Sequence, residues 1–244
     1  MTGPVLHACG SGTPRVRALF SGGDLDVGLA GGISREDVRR NRGHLAATAG
    51  FDGERAVVLE QVHGARAVTV GPEGGAGAFV RATDGCAAAD ASITRAPGVA
   101  LLALGADCAP VLLWSADGSV VAAVHAGWRG LVAGVILAAV DAMAVEPVDL
   151  RAAIGPCIGP CCYPVDLALR RTMEQRFGTG VVAGDAVDLA LGAERSLGMS
   201  GLRSDAITSI RTCTSCGPGH WFSYRRDGAR AGRQAGIVWI EESG

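Results

Sequence analysis

The sequence predicts a single α/β domain. Short apolar runs with the pattern of buried strands are interspersed with segments of helical pattern along the chain. The 244 residues are 48% hydrophobic and 19% charged, a composition that suits a globular core and differs from that of a disordered chain. Because no repeat or long linker divides the sequence, we expect residues 1–244 to form one domain.

In the N-terminal half, the pattern predicts one capped helix among short strands. Residues 1–33 are rich in glycine and contain one expected strand at residues 16–20. Ser34, with an acidic residue three positions later, is typical of a helix N-cap, and Gly50 is expected to end that helix. Three further strands are expected, the first two as a pair: residues 56–62, 67–70 and 99–104.

The C-terminal half is predicted to contain a central hairpin, three helices and three further strands. The helices, of which the first is apolar enough to be buried, are expected at residues 131–144, 165–177 and 186–197. The strands are expected at residues 148–154, 207–212 and 235–240. A loop is expected at residues 222–227.

The central hairpin gives the chain a chemical centre. Asp117 and Gly118 separate two apolar runs, which predicts a β-hairpin with these two residues as its loop. In that register His125 lies opposite Pro110, and Cys108 lies two residues further along the same face. A thiol and an imidazole are therefore expected to meet at one end of the hairpin.

Composition excludes several classes of function. The net charge is −2 and no basic run occurs, so nucleic-acid binding is not expected. All 22 basic residues are arginine, which excludes chemistry that needs a lysine. We expect no signal peptide, no membrane span and no protein partner, and the eight cysteines are expected to be reduced in the cytoplasm.

His63 and His125 each stand before a small residue or glycine at an expected strand end, where side chains can point into a cleft. Together with Cys108 they predict a zinc site with two imidazoles, one thiolate and an open fourth position, typical of catalytic zinc. Either histidine alone fits a structural role equally well, and Cys108 alone is more typical of a small buried apolar residue. Cys108 and His125 also fit a metal-free Cys–His hydrolase dyad, but His63 favours the metal.

Several charged residues adjoin this predicted centre. Asp107 is expected to act as an orienting group or a proton carrier. Arg129, near the start of the helix predicted at residues 131–144, is a candidate for binding phosphate or carboxylate. Arg225 and Arg226 offer a second candidate anion site, although pairing with Asp227 at the surface explains them equally well.

The other cysteines give a weaker signal. Cys213 and Cys216 have zinc-ribbon spacing, but the chain has no second pair with that spacing. Cys157, Cys161 and Cys162 would have to supply the remaining ligands of such a structural zinc site. We favour buried or incidental thiols as the interpretation of these residues.

Four sequence blocks carry a resemblance to a known family. They lie at residues 59–64 (LEQVHG), 106–113 (ADCAPVLL), 125–130 (HAGWRG) and 222–228 (FSYRRDG). With further matches at residues 153–159 and 232–235, they span about residues 56–240. In this order they resemble the YfiH-like family, also called the laccase-domain or multicopper polyphenol oxidase family.

The resemblance implies a fold and a metal site. The fold is a single-domain, mixed-sheet α/β sandwich of the type shared with cysteine-hydrolase-like bacterial toxin domains. The implied metal is one zinc ion per chain, held by His63, Cys108 and His125. The segment at residues 20–29 departs from the family pattern, since it is short and lacks the usual Arg and Asn, so a different substrate range is expected if it lines the pocket.

The resemblance also implies an activity: purine nucleoside phosphorylase, which converts adenosine, inosine, guanosine or methylthioadenosine and phosphate to base and pentose 1-phosphate. Adenosine deamination is a second implied activity. Asp107 is then expected to be catalytic beside the three metal ligands. The expected substrate-binding residues are Gln61, Arg129, Ser223 and Arg225.

Three other functions remain open at this point: a peptidoglycan-precursor editing hydrolase, the metal-free Cys–His hydrolase and a non-enzymatic binding module. Copper laccase chemistry is disfavoured, because the chain has only five histidines and no His-x-His pair for a three-copper cluster. Copper is accordingly less expected than zinc.

Overall fold

The computed structural model describes residues 6–8, 12–83, 85–218 and 220–242. Within these ranges the strands are β1 Leu6–Ala8, β2 Val16–Ser21, β3 Val57–Val58, β4 Ala67–Val70, β5 Ala91–Thr94, β6 Leu101–Gly105, β7 Ala109–Ser115, β8 Val121–Ala126, β9 Leu150–Ile154, β10 Val182–Ala183, β11 Ala186–Val187, β12 Ile207–Ser209 and β13 Gln234–Ile240. The α-helices are α1 Arg35–Ala49, α2 Trp128–Ala133, α3 Val135–Met143, α4 Leu167–Phe177, α5 Leu189–Met199 and α6 Tyr224–Asp227.

Two mixed sheets pack face to face. One has five strands in the order β1-β2-β13-β6-β3, and the other has six in the order β12-β9-β7-β8-β5-β4. Both contain parallel and antiparallel pairs. Apolar side chains of the two inner faces form a common core, with Phe20, Leu101, Leu112, Trp114 and Val238 among its members. The mixed-sheet α/β sandwich is therefore confirmed.

Helices cover both outer faces of this sandwich. α3 and α5 pack on the six-stranded sheet, where Ile136 and Leu197 are fully buried. α1 covers the five-stranded sheet through Leu45, next to Phe79 and Trp239. Central strands are buried on both faces in this four-layer arrangement, which explains why β7 and β8 read as continuous apolar runs rather than as alternating patterns.

The central hairpin has the predicted register, with Pro110 opposite His125. The predicted two-residue loop is wrong, because Ser115 pairs with Val120 and four residues connect them. The N–H of Gly118 donates to the carbonyl of Ser115, and Gly118 has a φ of 71°. An even number of connecting residues preserves the alternation of faces, so the predicted meeting of thiol and imidazole survives the longer loop.

Helix α1 begins and ends as the sequence predicts. Ser34 caps it by accepting a hydrogen bond from the N–H of Asp37. Gly50 ends it in the left-handed conformation, with φ 82°, and donates its N–H to the carbonyl of Ala46.

The predicted pair of strands around His63 is wrong. β3 belongs to the five-stranded sheet, where it pairs in parallel with β6, and β4 belongs to the other sheet, where it pairs in parallel with β5. The segment between them crosses from one sheet to the other instead of turning back as a hairpin. This crossing places His63 at the junction of the two sheets.

Two predicted helices are interrupted. Gly134, with φ 91°, separates α2 from α3 within the helix predicted at residues 131–144. The helix predicted at residues 186–197 begins as the short strand β11 and becomes α5 only after the N-cap Asp188. The loop predicted at residues 222–227 contains α6.

Candidate metal centre and active site

A cleft of about 800 Å³ opens where β3, β6 and β8 end and β7 begins. His63, Cys108 and His125 lie together in its wall. Their potential ligand atoms all lie within 4.8 Å of one another. The two imidazole rings meet edge to face, with 4.8 Å between their centroids. The three residues predicted as ligands are therefore brought together from three separate segments.

The three side chains leave one side of the group accessible. His125 is buried in β8, Cys108 is half-buried just before β7, and His63 is exposed. Two imidazoles and one thiolate match the donor set of catalytic zinc sites, and the exposed side leaves room for a fourth ligand. The residues present therefore fit a zinc ion.

Close packing around the thiol requires glycine at position 127. A Cβ atom there would lie 2.8 Å from Cys108 Sγ and 3.3 Å from His63 Cδ2. The first of these distances is shorter than a normal van der Waals contact. Gly127 therefore allows the end of β8 to approach both other members of the group.

Asp90 fixes the geometry of the two histidines, and the sequence analysis missed it. Its buried carboxylate lies 2.8 Å from His125 Nδ1 and accepts hydrogen bonds from the N–H groups of His63 (2.9 Å) and Gly64 (2.7 Å). A carboxylate on one imidazole nitrogen directs the other nitrogen toward a metal or a thiol. An aspartate immediately before the fully buried strand β5 is the signal that could have identified it.

Charge at this site favours a thiolate beside an imidazolium. Burial alone would raise the pKa of Cys108, but His125 and His63 lower the pKa to about 6. Burial alone would lower the pKa of His125, but the Cys108 thiolate and Asp90 raise the pKa to about 9. A deprotonated thiol is the form that either a metal or a nucleophilic reaction requires.

Two residues of the site have left-handed backbone conformations that non-glycine residues rarely adopt. His63 has a φ of 60° and Asp107 has a φ of 96°. Such conformations cost on the order of 1–3 kcal/mol each and persist only where surrounding contacts hold them. Asp90 holds the backbone at His63, and contacts to both carboxylate oxygens hold Asp107.

Both carboxylate oxygens of Asp107 accept a hydrogen bond from the protein. Oδ1 accepts from the hydroxyl of Thr214 at 2.7 Å, and Oδ2 accepts from the N–H of Arg225 at 2.6 Å. Its carbonyl accepts from the N–H of Ile158 at 2.9 Å. Of the two roles expected for Asp107, these contacts favour the orienting one, since it joins three loops beside Cys108.

Gln61 and Ser223, two of the expected substrate-binding residues, bind other parts of the chain. The side-chain amide of Gln61 lies in the cleft wall, but it both donates to and accepts from the backbone of Leu104. Ser223 is fully buried, and its hydroxyl accepts from the N–H of Arg226 as the cap of α6. Their contacts position β6 and α6 at the cleft.

Arg129 and Arg225, the other two, line the cleft. Their guanidinium groups lie over the rings of Trp128 and Tyr163, at 4.5 and 5.0 Å from the ring centroids. Arg226 instead forms an ion pair of 2.7 Å with its neighbour in sequence, so the surface-pairing alternative holds for that residue.

Two further arginines, absent from the sequence-based candidates, also line the cleft. Arg42 is buried, donates to the carbonyls of Val27 and Phe79, and lies over the Phe79 ring. Burial lowers the pKa of Arg42 to about 10, partly offset by Asp26. The sequence pattern did not identify Arg42 as a cleft residue, because an arginine-rich helix face normally indicates solvent exposure. With Arg233, it brings the arginines of the cleft wall to four, against the two carboxylates of Glu60 and Asp107.

The divergent N-terminal segment reaches the cleft. Gly28, Leu29 and Ala30 are part of its wall. Asp26 holds this segment by accepting hydrogen bonds from the N–H groups of Gly28 and Arg233. Gly28 and Leu29 of the divergent segment therefore line the cleft, and the altered substrate range stays a prediction.

Similar proteins were found by sequence. A protein from Streptomyces griseus named "Purine nucleoside phosphorylase ORF3" is 36% identical over 90% of this chain and 88% of its own length. The protein named "Purine nucleoside phosphorylase YfiH" from Escherichia coli strain K12 is 34% identical over 88% of this chain and 86% of its own length.

Solved structures share the fold. The crystal structure of YlmD from Geobacillus stearothermophilus has a TM-score of 0.83 and 30% sequence identity, with 94% of this chain and 93% of that chain covered.

Residues 18–241 match the family described as "Multi-copper polyphenol oxidoreductase laccase". The chain therefore belongs to this family, which is also the YfiH family indicated by its sequence blocks.

Proposed function

We propose that this chain is a zinc-dependent purine nucleoside phosphorylase. The observation that carries the proposal is the convergence of His63, Cys108 and His125 in the wall of a cleft that four arginines also line. Zinc bound by these residues would supply Lewis acidity at the reacting centre. The names of the Streptomyces griseus and Escherichia coli relatives support the same activity.

In phosphorolysis, a phosphate oxygen forms a bond to the anomeric carbon of the nucleoside as the bond to the purine nitrogen breaks. The protein must therefore hold phosphate beside the sugar. Arg129 and Arg225 line the cleft and present guanidinium groups, which bind phosphate through charge-assisted hydrogen bonds. Buried Arg42 adds positive charge to the same wall. The products are the free purine and pentose 1-phosphate.

The cleft also offers surfaces for a flat base. Trp128, Tyr163 and Tyr224 contribute aromatic rings to its wall. Aromatic side chains bind purines by stacking, which tolerates changes in the substituents of the ring. We accordingly propose adenosine, inosine, guanosine and methylthioadenosine as substrates.

Adenosine deamination is a second proposed activity of this site. It replaces the purine amino group with oxygen from water and releases ammonia. A histidine and cysteine donor set is also used by zinc enzymes that deaminate nucleobases, which supports this proposal.

We propose zinc rather than copper as the metal. Among the described residues, the only potential ligand group that contains histidine is His63, Cys108 and His125. A three-copper cluster needs several more imidazoles than this group supplies. The proposed compartment is the cytoplasm, where thiol ligands stay reduced. None of the described helices combines the length and the apolar character that a membrane span requires.

A metal-free hydrolase is the second candidate, and one observation favours it. Asp90, His125 and Cys108 match the acid, base and thiol of a cysteine nucleophile triad. His125 Nδ1 lies 2.8 Å from the Asp90 carboxylate. The position of His63 against both other residues favours the metal over this alternative.

The experiment is an assay of inosine with phosphate, using protein purified without added metal. We expect hypoxanthine release that requires phosphate and stops after chelation, then returns when zinc is restored. Omitting phosphate is the matched control, since a hydrolase would continue to release base. Activity that survives chelation and is abolished by thiol alkylation would replace this proposal with the metal-free hydrolase.

A further inference from the structure

Four cysteines outside the cleft form a second group. Cys161 and Cys162 follow β9, whereas Cys213 and Cys216 follow β12. β9 and β12 are parallel neighbours, so the loops after them leave the sheet at the same edge. The ligand atoms of the four residues all lie within 4.8 Å of one another.

We propose that these four cysteines bind a second zinc ion, which has a structural role. Four thiolates around zinc at about 2.3 Å place the sulfur atoms about 3.8 Å apart in a tetrahedron. Cys161 Sγ and Cys216 Sγ lie 3.4 Å apart, and all four sulfurs fall within the 4.8 Å limit, so small side-chain rotations reach that geometry.

Backbone donors prepare this group for negative charge. The N–H of Gly159 lies 3.3 Å from Cys213 Sγ, and the N–H groups of Ser215 and Cys216 donate to the same sulfur. Such donors disperse the charge of a thiolate ligand. Gly159 packs closely against the group, since a Cβ there would lie in van der Waals contact, 3.4 Å from both Cys161 Sγ and Cys213 Cβ.

The fifth nearby cysteine is separate. Cys157 is buried and is absent from the group of four, and its backbone pairs with that of Cys213 as an isolated parallel bridge. Burial raises the pKa of the Cys157 thiol, which disfavours a thiolate there. The protein itself therefore supplies four ligands and leaves no open position, as in structural zinc sites.

The proposed zinc clamps two loops that support the cleft. The turn at Cys213 carries Thr214, whose hydroxyl donates to Asp107. The loop at Cys161 carries Tyr163, which lies under the Arg225 guanidinium in the cleft wall. Joining these loops would fix Asp107 and the Tyr163 side of the cleft at once.

The test is metal analysis of purified protein and of two sets of variants. We expect two zinc ions per chain in the unaltered protein. The double variant Cys161→Ser/Cys216→Ser should lose one, and Cys108→Ser should lose the other. Cys86→Ser is the matched control, because Cys86 is also exposed but lies outside both groups, and it should keep both ions.

Cobalt substitution identifies the ligands directly. We expect a tetrathiolate absorption spectrum that remains in Cys108→Ser and disappears in Cys161→Ser/Cys216→Ser. A zinc content unchanged by the double substitution, or a cobalt spectrum without the tetrathiolate signature, would overturn the proposal.

A measurement on the unaltered protein covers the case in which the double variant fails to fold. Under alkylation, we expect Cys86 to react while Cys161 and Cys216, although exposed, stay protected until a chelator is added. Reaction of all three at similar rates without chelator would overturn the proposal. So would a disulfide between Cys161 and Cys216, detected by mass spectrometry after purification under reducing conditions.

Discussion

The Asp90 carboxylate lies 2.8 Å from Nδ1 of His125. The same carboxylate accepts hydrogen bonds from the backbone N–H groups of His63 and Gly64, so one buried acid holds the His125 ring and the backbone that carries His63. Because His63 lies on the segment that crosses between the sheets, this contact joins the crossing to the end of β8. Asp90 therefore supports the candidate centre from behind its three ligands.

Replacing Asp90 tests this dependence. We expect Asp90→Asn to weaken zinc binding at the centre by about 10–100-fold, the range typical when a partner of a ligating histidine is removed. A chelator competition titration measures the change. Asp141→Asn, at an exposed position of α3, is the control and should bind as the unaltered protein does. Equal affinities in both variants would show that Asp90 does not support the centre.

Removing one imidazole tests the ligand assignment. We expect His63→Ala to lose both the zinc bound at the centre and its phosphorolytic activity, because the two remaining ligands bind zinc too weakly. Metal analysis and the inosine assay measure the two effects. His44→Ala, exposed on α1, should change neither. Full retention of zinc and activity in His63→Ala would remove His63 from the site.

A single methyl group at position 127 tests the packing around the thiol. We expect Gly127→Ala to reduce zinc affinity, because the added Cβ would lie 2.8 Å from Cys108 Sγ. Gly43→Ala is the matched control, since nothing lies within 4 Å of its added Cβ. That control should stabilise helix α1 by about 0.5–1 kcal/mol, measured by chemical unfolding. Unchanged zinc affinity in Gly127→Ala would contradict the close approach.

Arg129 tests the phosphate site. We expect Arg129→Gln to raise the KM for phosphate about 10-fold or more, since a hydrogen bond to a charged group contributes about 1.5–3 kcal/mol. The KM for inosine should change less. Steady-state kinetics at varied phosphate measures both constants, with Arg171→Gln on the exposed part of α4 as control. Equal phosphate KM values in the two variants would exclude Arg129 from phosphate binding.

Local patterns were sufficient to predict the hairpin and part of the centre. The pairing of Pro110 with His125 follows from alternation along two apolar runs around Asp117 and Gly118, and it needs no knowledge of the other strands. The same holds for helix α1, whose caps are local. These features depend on residues that are close in sequence.

Long-range contacts explain what the sequence analysis missed. The role of Asp90 depends on a contact with His125, across two neighbouring strands, and no local pattern shows it. β3 and β4 have ordinary strand composition, and only their partners β6 and β5 place them in different sheets.

The break in the predicted helix at residues 131–144 has a local cause. Gly134 breaks the helix because its backbone is left-handed, whereas the apolar composition around it also suits a continuous helix.

The motif residues Gln61 and Ser223 illustrate a further limit. Sequence blocks indicate which residues belong near a cleft, but they do not separate those that face substrate from those that hold the backbone. The Gln61 side-chain amide is hydrogen-bonded to the backbone of Leu104, and the Ser223 hydroxyl caps α6. Arg42 shows the converse, since a residue outside every block lies in the cleft wall.

The most direct test of the centre is a crystal structure of protein purified without chelators, with anomalous diffraction measured on both sides of the zinc absorption edge. We expect a zinc peak at about 2.0–2.3 Å from one nitrogen of His63, one nitrogen of His125 and the sulfur of Cys108. No peak at these three residues in zinc-supplemented protein that is active would contradict the proposed metal centre.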